Sequence, residues 1–231
     1  DGCWKPTFSM TLPELRSGVY AVRLRAGDVE DHLCFFVRPK KPQAAIAMLM
    51  PTCSYLAYAN DRLGLDYPVS QLVSAHVPVF HKWDMDLAKH PEYGASTYDH
   101  HSDGGGVCYT SRRRPIFNIR PRHRMAGTAV AWQFPADLSI VYWLEKKGYD
   151  YDVITDEHLH KEGIACLSPY QVVINGTHAE YYSERMMDAT EDYVAAGGRL
   201  MYLSGNGYYW VVSFREDDPG CMEVRKLDSG S

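Results

Sequence analysis

The stretch from Val172 to Tyr182 constrains the fold of this chain more than any other. Val172-Val173-Ile174 is a short apolar, β-branched run, Asn175-Gly176 ends it, and an amphipathic pattern opens at Ser183. Consecutive apolar residues cannot present one wet and one dry face. The run therefore reads as a parallel strand buried on both sides. Residues just past the carboxyl ends of such strands are where open α/β sheets place their chemistry. Here they include His178 and Glu180. Imidazole and carboxylate are common general acid–base groups, and both bind metals. The same residues also suit a polar loop that caps the next helix, and a two-residue spacing does not choose between the readings.

The rest of the chain repeats the pattern. Ala44 to Met50, Tyr151 to Ile154, Gln171 to Ile174 and Arg199 to Leu203 read as buried strands, the last ending at Ser204-Gly205-Asn206-Gly207. Helices are expected from Pro135 to Lys147 and from Ser183 to Ala196. The first should turn Leu138, Val141, Tyr142 and Leu144 inward. The second should turn Met187, Tyr193 and Val194 inward, with Ser183 as N-cap and Gly197-Gly198 as its stop. Tyr208 to Phe214 fits a short strand or a helix. Strands and helices that alternate over short loops mark a doubly wound, mostly parallel α/β sheet. Residues 1 to 38 differ, because Thr7 to Met10, Gly18 to Arg25 and Leu33 to Val37 have strand character. The last two join through Gly27-Asp28 as a hairpin. This segment reads as the end of a β-sandwich, with Arg38-Pro39-Lys40-Lys41-Pro42 as linker. The expected division is 1–42 and 43–231. Residues 61 to 128 form a long connection with little periodicity. Connections of that length are usually functional or disordered, and the aromatic content of this one argues against disorder.

Composition removes some function classes. The 231 residues carry 24 basic and 29 acidic side chains, a net charge of -5 with no basic stripe, so nucleic acid is not an expected partner. The mean hydropathy is -0.34 and no apolar run approaches membrane-spanning length, so no membrane is expected either. Cysteines at 3, 34, 53, 108, 166 and 221 lack zinc-type spacing and read as reduced thiols of a cytoplasmic protein. The sequence opens at Asp1 without an initiator Met and reads as a piece of a longer polypeptide.

In a parallel sheet the strand tails share one rim. They would gather Tyr55, Tyr58, His178, Glu180 and Asn206, and the long connection could add Tyr93, Tyr98, Asp99, His100 or His101. Phenol and carboxylate oxygens favour a hard cation over copper or thiolate-bound zinc. With 17 tyrosines in the chain, core filling is the competing reading for each of them. His100-His101 beside Asp99 and Asp103 is another possible metal cluster, although a solvated loop suits it better. Cys53 and Cys166 lack the sharp turn of a thiolate nucleophile and read as buried thiols. Arg112-Arg113-Arg114 reads as a solvated or salt-bridged segment, with anion binding as the lesser alternative.

Four segments together carry a resemblance. They are Thr52-Cys53-Ser54-Tyr55-Leu56-Ala57-Tyr58-Ala59-Asn60, Arg114-Pro115 with Asn118-x-Arg120-Pro121, Thr177-His178-Ala179-Glu180-Tyr181-Tyr182-Ser183, and Ser204-Gly205-Asn206-Gly207-Tyr208-Tyr209-Trp210. In this order they resemble the large subunit of N,N-dimethylformamidase and its relatives over most of residues 44 to 226. The resemblance implies a catalytic domain similar to the class I glutamine amidotransferase fold without its cysteine, preceded by an Ig-like β-sandwich. It implies hydrolysis of a small N-substituted formamide to formate and an amine at a mononuclear Fe(III). Tyr58, Tyr98 and Glu180 match the iron ligands. His178 and Asn206 match catalytic positions beside the metal, and Lys226 matches a nearby basic one. A further acidic residue of the family lies beyond the last residue of this sequence. A small amide substrate, a small subunit and further copies of the large subunit are the implied partners. Two alternatives stand beside this reading: an amidotransferase-like module that has lost its chemistry and serves binding or assembly, and a hydrolase using Cys53 or Cys166.

Overall fold

The computed structural model describes residues 4–65, 71–72 and 75–226. Its first element is a hairpin of β1 (Gly18–Ala26) and β2 (Val29–Val37), paired antiparallel from Gly18 with Val37 to Ala26 with Val29. The turn is Gly27-Asp28, and Gly27 takes a φ of 60° that favours glycine. Thr7 to Met10, expected as a strand, lies in none. It is exposed, and among the described residues no strand runs beside it to take its backbone hydrogen bonds.

The further strands are β3 (Ile46–Met50), β4 (Tyr109–Ser111), β5 (Tyr151–Thr155), β6 (Val172–Asn175), β7 (Tyr181–Tyr182), β8 (Arg199–Tyr202), β9 (Trp210–Phe214) and β10 (Cys221–Val224). The helices are α1 (Thr52–Ala57), α2 (Lys82–Lys89), α3 (Phe134–Lys147), α4 (Asp156–Glu162) and α5 (Glu184–Ala195). The expected parallel sheet has the order β5-β3-β6-β8, with every neighbour parallel. Alternate residues serve opposite faces. Ala47, Leu49, Ile154 and Val173 pack with Leu159 of α4 and with Met186, Ala189 and Tyr193 of α5. Met48, Met50, Val153 and Ile174 pack with Phe134 and Leu144 of α3 and with Val19, Cys34 and Phe36 of the hairpin. Helices on both faces make the sheet doubly wound. The connection after β3 returns through α3 on one face, and that after β6 returns through α5 on the other. The crevice between the tails of β3 and β6 is therefore the switch point, where such sheets bind ligands.

The hairpin closes the β5 edge of this sheet. Ser17 Oγ accepts the Val153 N–H at 2.7 Å and donates to the Val37 carbonyl at 2.9 Å. A second sheet, β4-β10-β9-β7, is mixed: β4/β10 and β10/β9 are antiparallel and β9/β7 is parallel. It brings the long connection and the chain after β8 over the carboxyl rim.

The helix boundaries agree closely with the signals. Ser183 Oγ accepts the Met186 N–H at 3.3 Å, and Gly148 ends α3 in the left-handed region at a φ of 71°. Two inward assignments need correction. Tyr142 is 63% exposed and Val194 49% exposed. In α5 the inner stripe is Met186, Ala189, Thr190 and Tyr193, which puts Val194 just past its edge. Helix α4 was not expected, although Thr155 before Asp156-Glu157, His160-Lys161 in its last turn and Gly163 after it are a start and a stop.

Candidate metal centre

The site is built on the short helix α1. Its last carbonyls have no partners within the helix. The long connection supplies them with side-chain donors. Asn118 Nδ2 donates to the Tyr55 carbonyl at 2.9 Å, Thr110 Oγ1 to Leu56 at 2.9 Å and Thr97 Oγ1 to Ala57 at 2.9 Å, and just past the helix an Arg114 Nη donates to the Ala59 carbonyl at 3.3 Å. Asn60, which is buried, donates to the carbonyls of Tyr93 and Pro115 and accepts the Phe117 N–H at 2.9 Å. Arg114 is therefore a buried fastener of carbonyls, not part of a solvated run, and burial pushes its guanidinium down to about 10. Arg113 pairs with Asp218 at 3.0 Å on the surface.

This fastening fixes two phenols. The Thr97 bond to α1 lays Tyr98 on Tyr58, with ring centroids 4.1 Å apart and planes 24° from parallel. From the neighbouring strand tail comes Glu180. Ser54 Oγ accepts its N–H at 3.0 Å, and its carbonyl accepts the N–H groups of Tyr209 and Trp210, both at 3.0 Å. Gly176 makes the turn after β6 possible, because a Cβ there would stand 2.6 Å from Pro51 Cδ.

The side chains then meet. Tyr58 Oη donates to Glu180 Oε2 at 2.7 Å, and Tyr98 Oη lies 3.4 Å from Oε1 and donates to Tyr58 Oη. Tyr181 Oη donates to Tyr98 Oη at 2.6 Å, and His178 Nε2 lies 3.1 Å from Glu180 Oε2. Glu180 is 3% and Tyr58 6% exposed, so the carboxylate is out of bulk water. Burial pushes the phenols of Tyr58, Tyr98 and Tyr181 up, which keeps each one protonated unless a cation displaces the proton. Two phenols and a carboxylate that converge on one point are hard oxygen donors, so the chemistry of Tyr58, Tyr98 and Glu180 fits a hard ion.

The other expected residues border this cluster. Lys226 Nζ stands 3.1 Å from the centroid of the Tyr98 ring and donates to the Thr97 carbonyl at 3.3 Å. Asn206 is on the rim in an exposed turn with a φ of 49°. Among the described residues it makes no recorded bond to the cluster, but a Cβ on its neighbour Gly205 would lie 3.7 Å from His178 Nδ1. Two site residues were not expected, Trp132 and Tyr181. The Trp132 ring stands edge-on to Tyr58 at 4.6 Å and 5.0 Å from His178. The signal for Trp132 is an aromatic just before the start of α3, on the rim. Asn60, Gln133, Asn206 and Tyr208, beside or within these segments, are four of the six described non-glycine residues with positive φ. Such strain concentrates at functional sites.

The remaining candidates do not gather. His100, His101 and Asp103 are exposed, and Asp99 is held by Arg62 at 3.3 Å. Among the described residues no group of three His, Cys, Asp or Glu side chains is placed to hold a metal. Tyr93 packs on Phe117 and Trp4. Tyr55 bonds instead to Asp137. Cys53 is fully buried, and burial holds its thiol well above the usual range, while that of Cys166 is pushed up to about 11. Neither suits a thiolate nucleophile. The five described cysteines are free, and no described helix is long and apolar enough to cross a membrane.

Comparison with known proteins shows the family. The family model described as "N,N-dimethylformamidase beta subunit-like, C-terminal" matches residues 1–231. The N,N-dimethylformamidase beta subunit of Paracoccus aminophilus is 48% identical over 231 residues, which is 98% of this chain. That of an Alcaligenes species is 46% identical over the same share. This chain spans 30% of the length of each of these relatives. At that identity and coverage, the chain belongs to the N,N-dimethylformamidase beta subunit-like family.

Proposed function

We propose that this chain holds the reaction centre of a hydrolase that cleaves the carbon–nitrogen bond of a small N-substituted amide, such as N,N-dimethylformamide, to give formate and an amine. The observation that carries the reading is the convergence of the Tyr58, Tyr98 and Glu180 oxygens on the switch-point crevice. In this reading those three side chains hold one Fe(III). Bound there, the ion supplies Lewis acidity, which polarises an amide carbonyl or lowers the pKa of a water.

The chain's own residues supply the rest. His178 touches Glu180 through Nε2, and its side chain is 13% exposed, so it can pass a proton between the buried cluster and the crevice. Asn206, in the turn beside His178, would donate to the oxyanion that develops on the carbonyl oxygen. Lys226, over the Tyr98 ring, brings positive charge to a site with a buried carboxylate. Trp132 gives an apolar wall suited to N-alkyl groups.

The same reading makes the parallel sheet part of a glutamine amidotransferase-like fold and the hairpin the end of an Ig-like sandwich, with the division at residues 42 and 43. It gives the protein a cytoplasmic place and, since the relatives are beta subunits, a small partner subunit and further copies of the large one. The test uses the full-length protein with its partner subunit. Metal analysis should find about one iron per chain, the visible spectrum a tyrosinate-to-iron band, and the assay formate released from N,N-dimethylformamide. Iron-free, colourless protein without formate release would favour the binding or assembly module.

A further inference from the structure

Tyr181 is the phenol of the cluster to which the ligand assignment gives no part. Its ring is fully buried, and its backbone is fixed in β7, paired with Trp210 in β9. The preceding carbonyl, Glu180, is held by two N–H groups from the Tyr209-Trp210 segment. The hydroxyl is therefore aimed by the backbone, and it donates to Tyr98 Oη at 2.6 Å. Strand alternation turns the next residue the other way. Tyr182 Oη accepts from Asn175 Nδ2 at 2.5 Å, and its ring stacks on Tyr208 with centroids 4.2 Å apart. Two adjacent buried tyrosines thus differ in one respect, that only Tyr181 reaches the cluster.

We propose that Tyr181 is a positioning residue that donates a hydrogen bond to the Tyr98 oxygen and so sets how strongly that oxygen donates to the metal. The inference rests on the metal-centre reading above. A hydrogen bond to an anionic oxygen is shorter and stronger than one between neutral groups, and it withdraws electron density from that oxygen. Groups that orient and polarise metal ligands in this way typically change metal affinity or activity by 10–100-fold when they are removed.

The test is the visible spectrum of the iron-loaded, full-length protein. Tyr181→Phe keeps the ring and removes the donor. Tyr98 then gives up charge to iron more easily, so the tyrosinate-to-iron band should move to longer wavelength. Iron content at saturating iron should be unchanged, and turnover should fall by roughly 10–100-fold. Tyr182→Phe, the adjacent control, should leave the band where it is. A fluorinated tyrosine at 181, a stronger donor of nearly the same shape, should move the band to shorter wavelength, and it serves where the Phe variant fails to fold. A band that stays in place in the Phe or fluorotyrosine protein, with iron bound, overturns the role of Tyr181 and leaves the metal centre standing. Iron-loaded wild-type protein without any such band overturns both.

Discussion

The crevice holds two tyrosine–carboxylate pairs whose tyrosines come from the same strand tail, and their difference separates a fastening from a site. Tyr55 and Tyr58 both belong to the α1 segment after β3. Tyr55 donates to Asp137, at the start of α3, and Tyr58 to Glu180, after β6. Burial does not distinguish them, because Asp137 is 0% and Glu180 3% exposed. The other partners do. Asp137 also accepts the backbone N–H of Thr177 at 2.5 Å, and a Cβ on Gly176 would come within 2.8 Å of its Oδ2. An amide proton is not given up to a cation. Glu180 is met by Tyr58, Tyr98 and His178, all side chains whose protons can leave. Removable protons around a carboxylate, and not the pair as such, make the second place fit for a metal.

Breaking each pair should therefore have opposite consequences. The largest effect is expected for Glu180→Gln, which removes the carboxylate ligand: iron should fall to background and formate release with it, in a folded protein. Tyr58→Phe and Tyr98→Phe should also lose iron while melting normally. Metal analysis checks all three, and full iron content in both Phe variants would show that the ligands are assigned wrongly.

Next come the residues beside the ligands. His178→Ala should lower turnover by about 10²–10⁴ with iron kept, since general acid–base help is worth that much. Asn206→Ala should cost about 10²–10³, as the loss of one preorganised donor does. Formate release per bound iron measures both. A His178→Ala protein that folds but loses its iron would make His178 a ligand.

Tyr55→Phe sharpens the contrast from the other side. It leaves Asp137 short of a donor in a sealed place, so stability should fall by about 1–3 kcal/mol. Iron content should not change, by denaturant titration and metal analysis of one preparation. If Tyr55→Phe emptied the metal centre, the two pairs would be one network and the comparison would fail.

The same distinction explains what could be read from the chain. The strands at 46–50, 151–155, 172–175 and 199–202 were legible because burial on both faces demands unbroken apolar runs. Tyr58, His178 and Glu180 were legible because they follow such runs. The long connection was not, because its order comes from single side chains bonded to distant carbonyls. Thr97, Thr110, Arg114 and Asn118 each reach a carbonyl of residues 55–59 across 40 to 63 residues, and no periodicity records that. Tyr98 was one of five candidates in that connection, and only the family resemblance singled it out. Tyr181 stayed hidden behind Glu180, since a buried tyrosine in a strand is usually core.

The smallest effect concerns two histidines. His178 has a carboxylate oxygen at 3.1 Å, whereas His123 Nδ1 is buried and has no hydrogen-bond partner among the described residues. Burial, with Arg120 nearby, pushes the His123 imidazole down to about 4 from an ordinary value of 6.5. The folded state thus resists the proton that the unfolded chain accepts. Above pH 6.5 both states hold the ring neutral, and its contribution to stability is complete. As pH falls from 6.5 toward about 4 the unfolded chain gains a proton that the folded one does not, and that contribution is lost. His123→Phe keeps a flat ring and removes the titration. Its urea midpoint should fall less between neutral pH and pH near 4 than the wild-type midpoint does. Equal acid sensitivity in the two proteins would mean that His123 finds a partner for its proton, and that burial without exchangeable partners is not what sets it apart from His178.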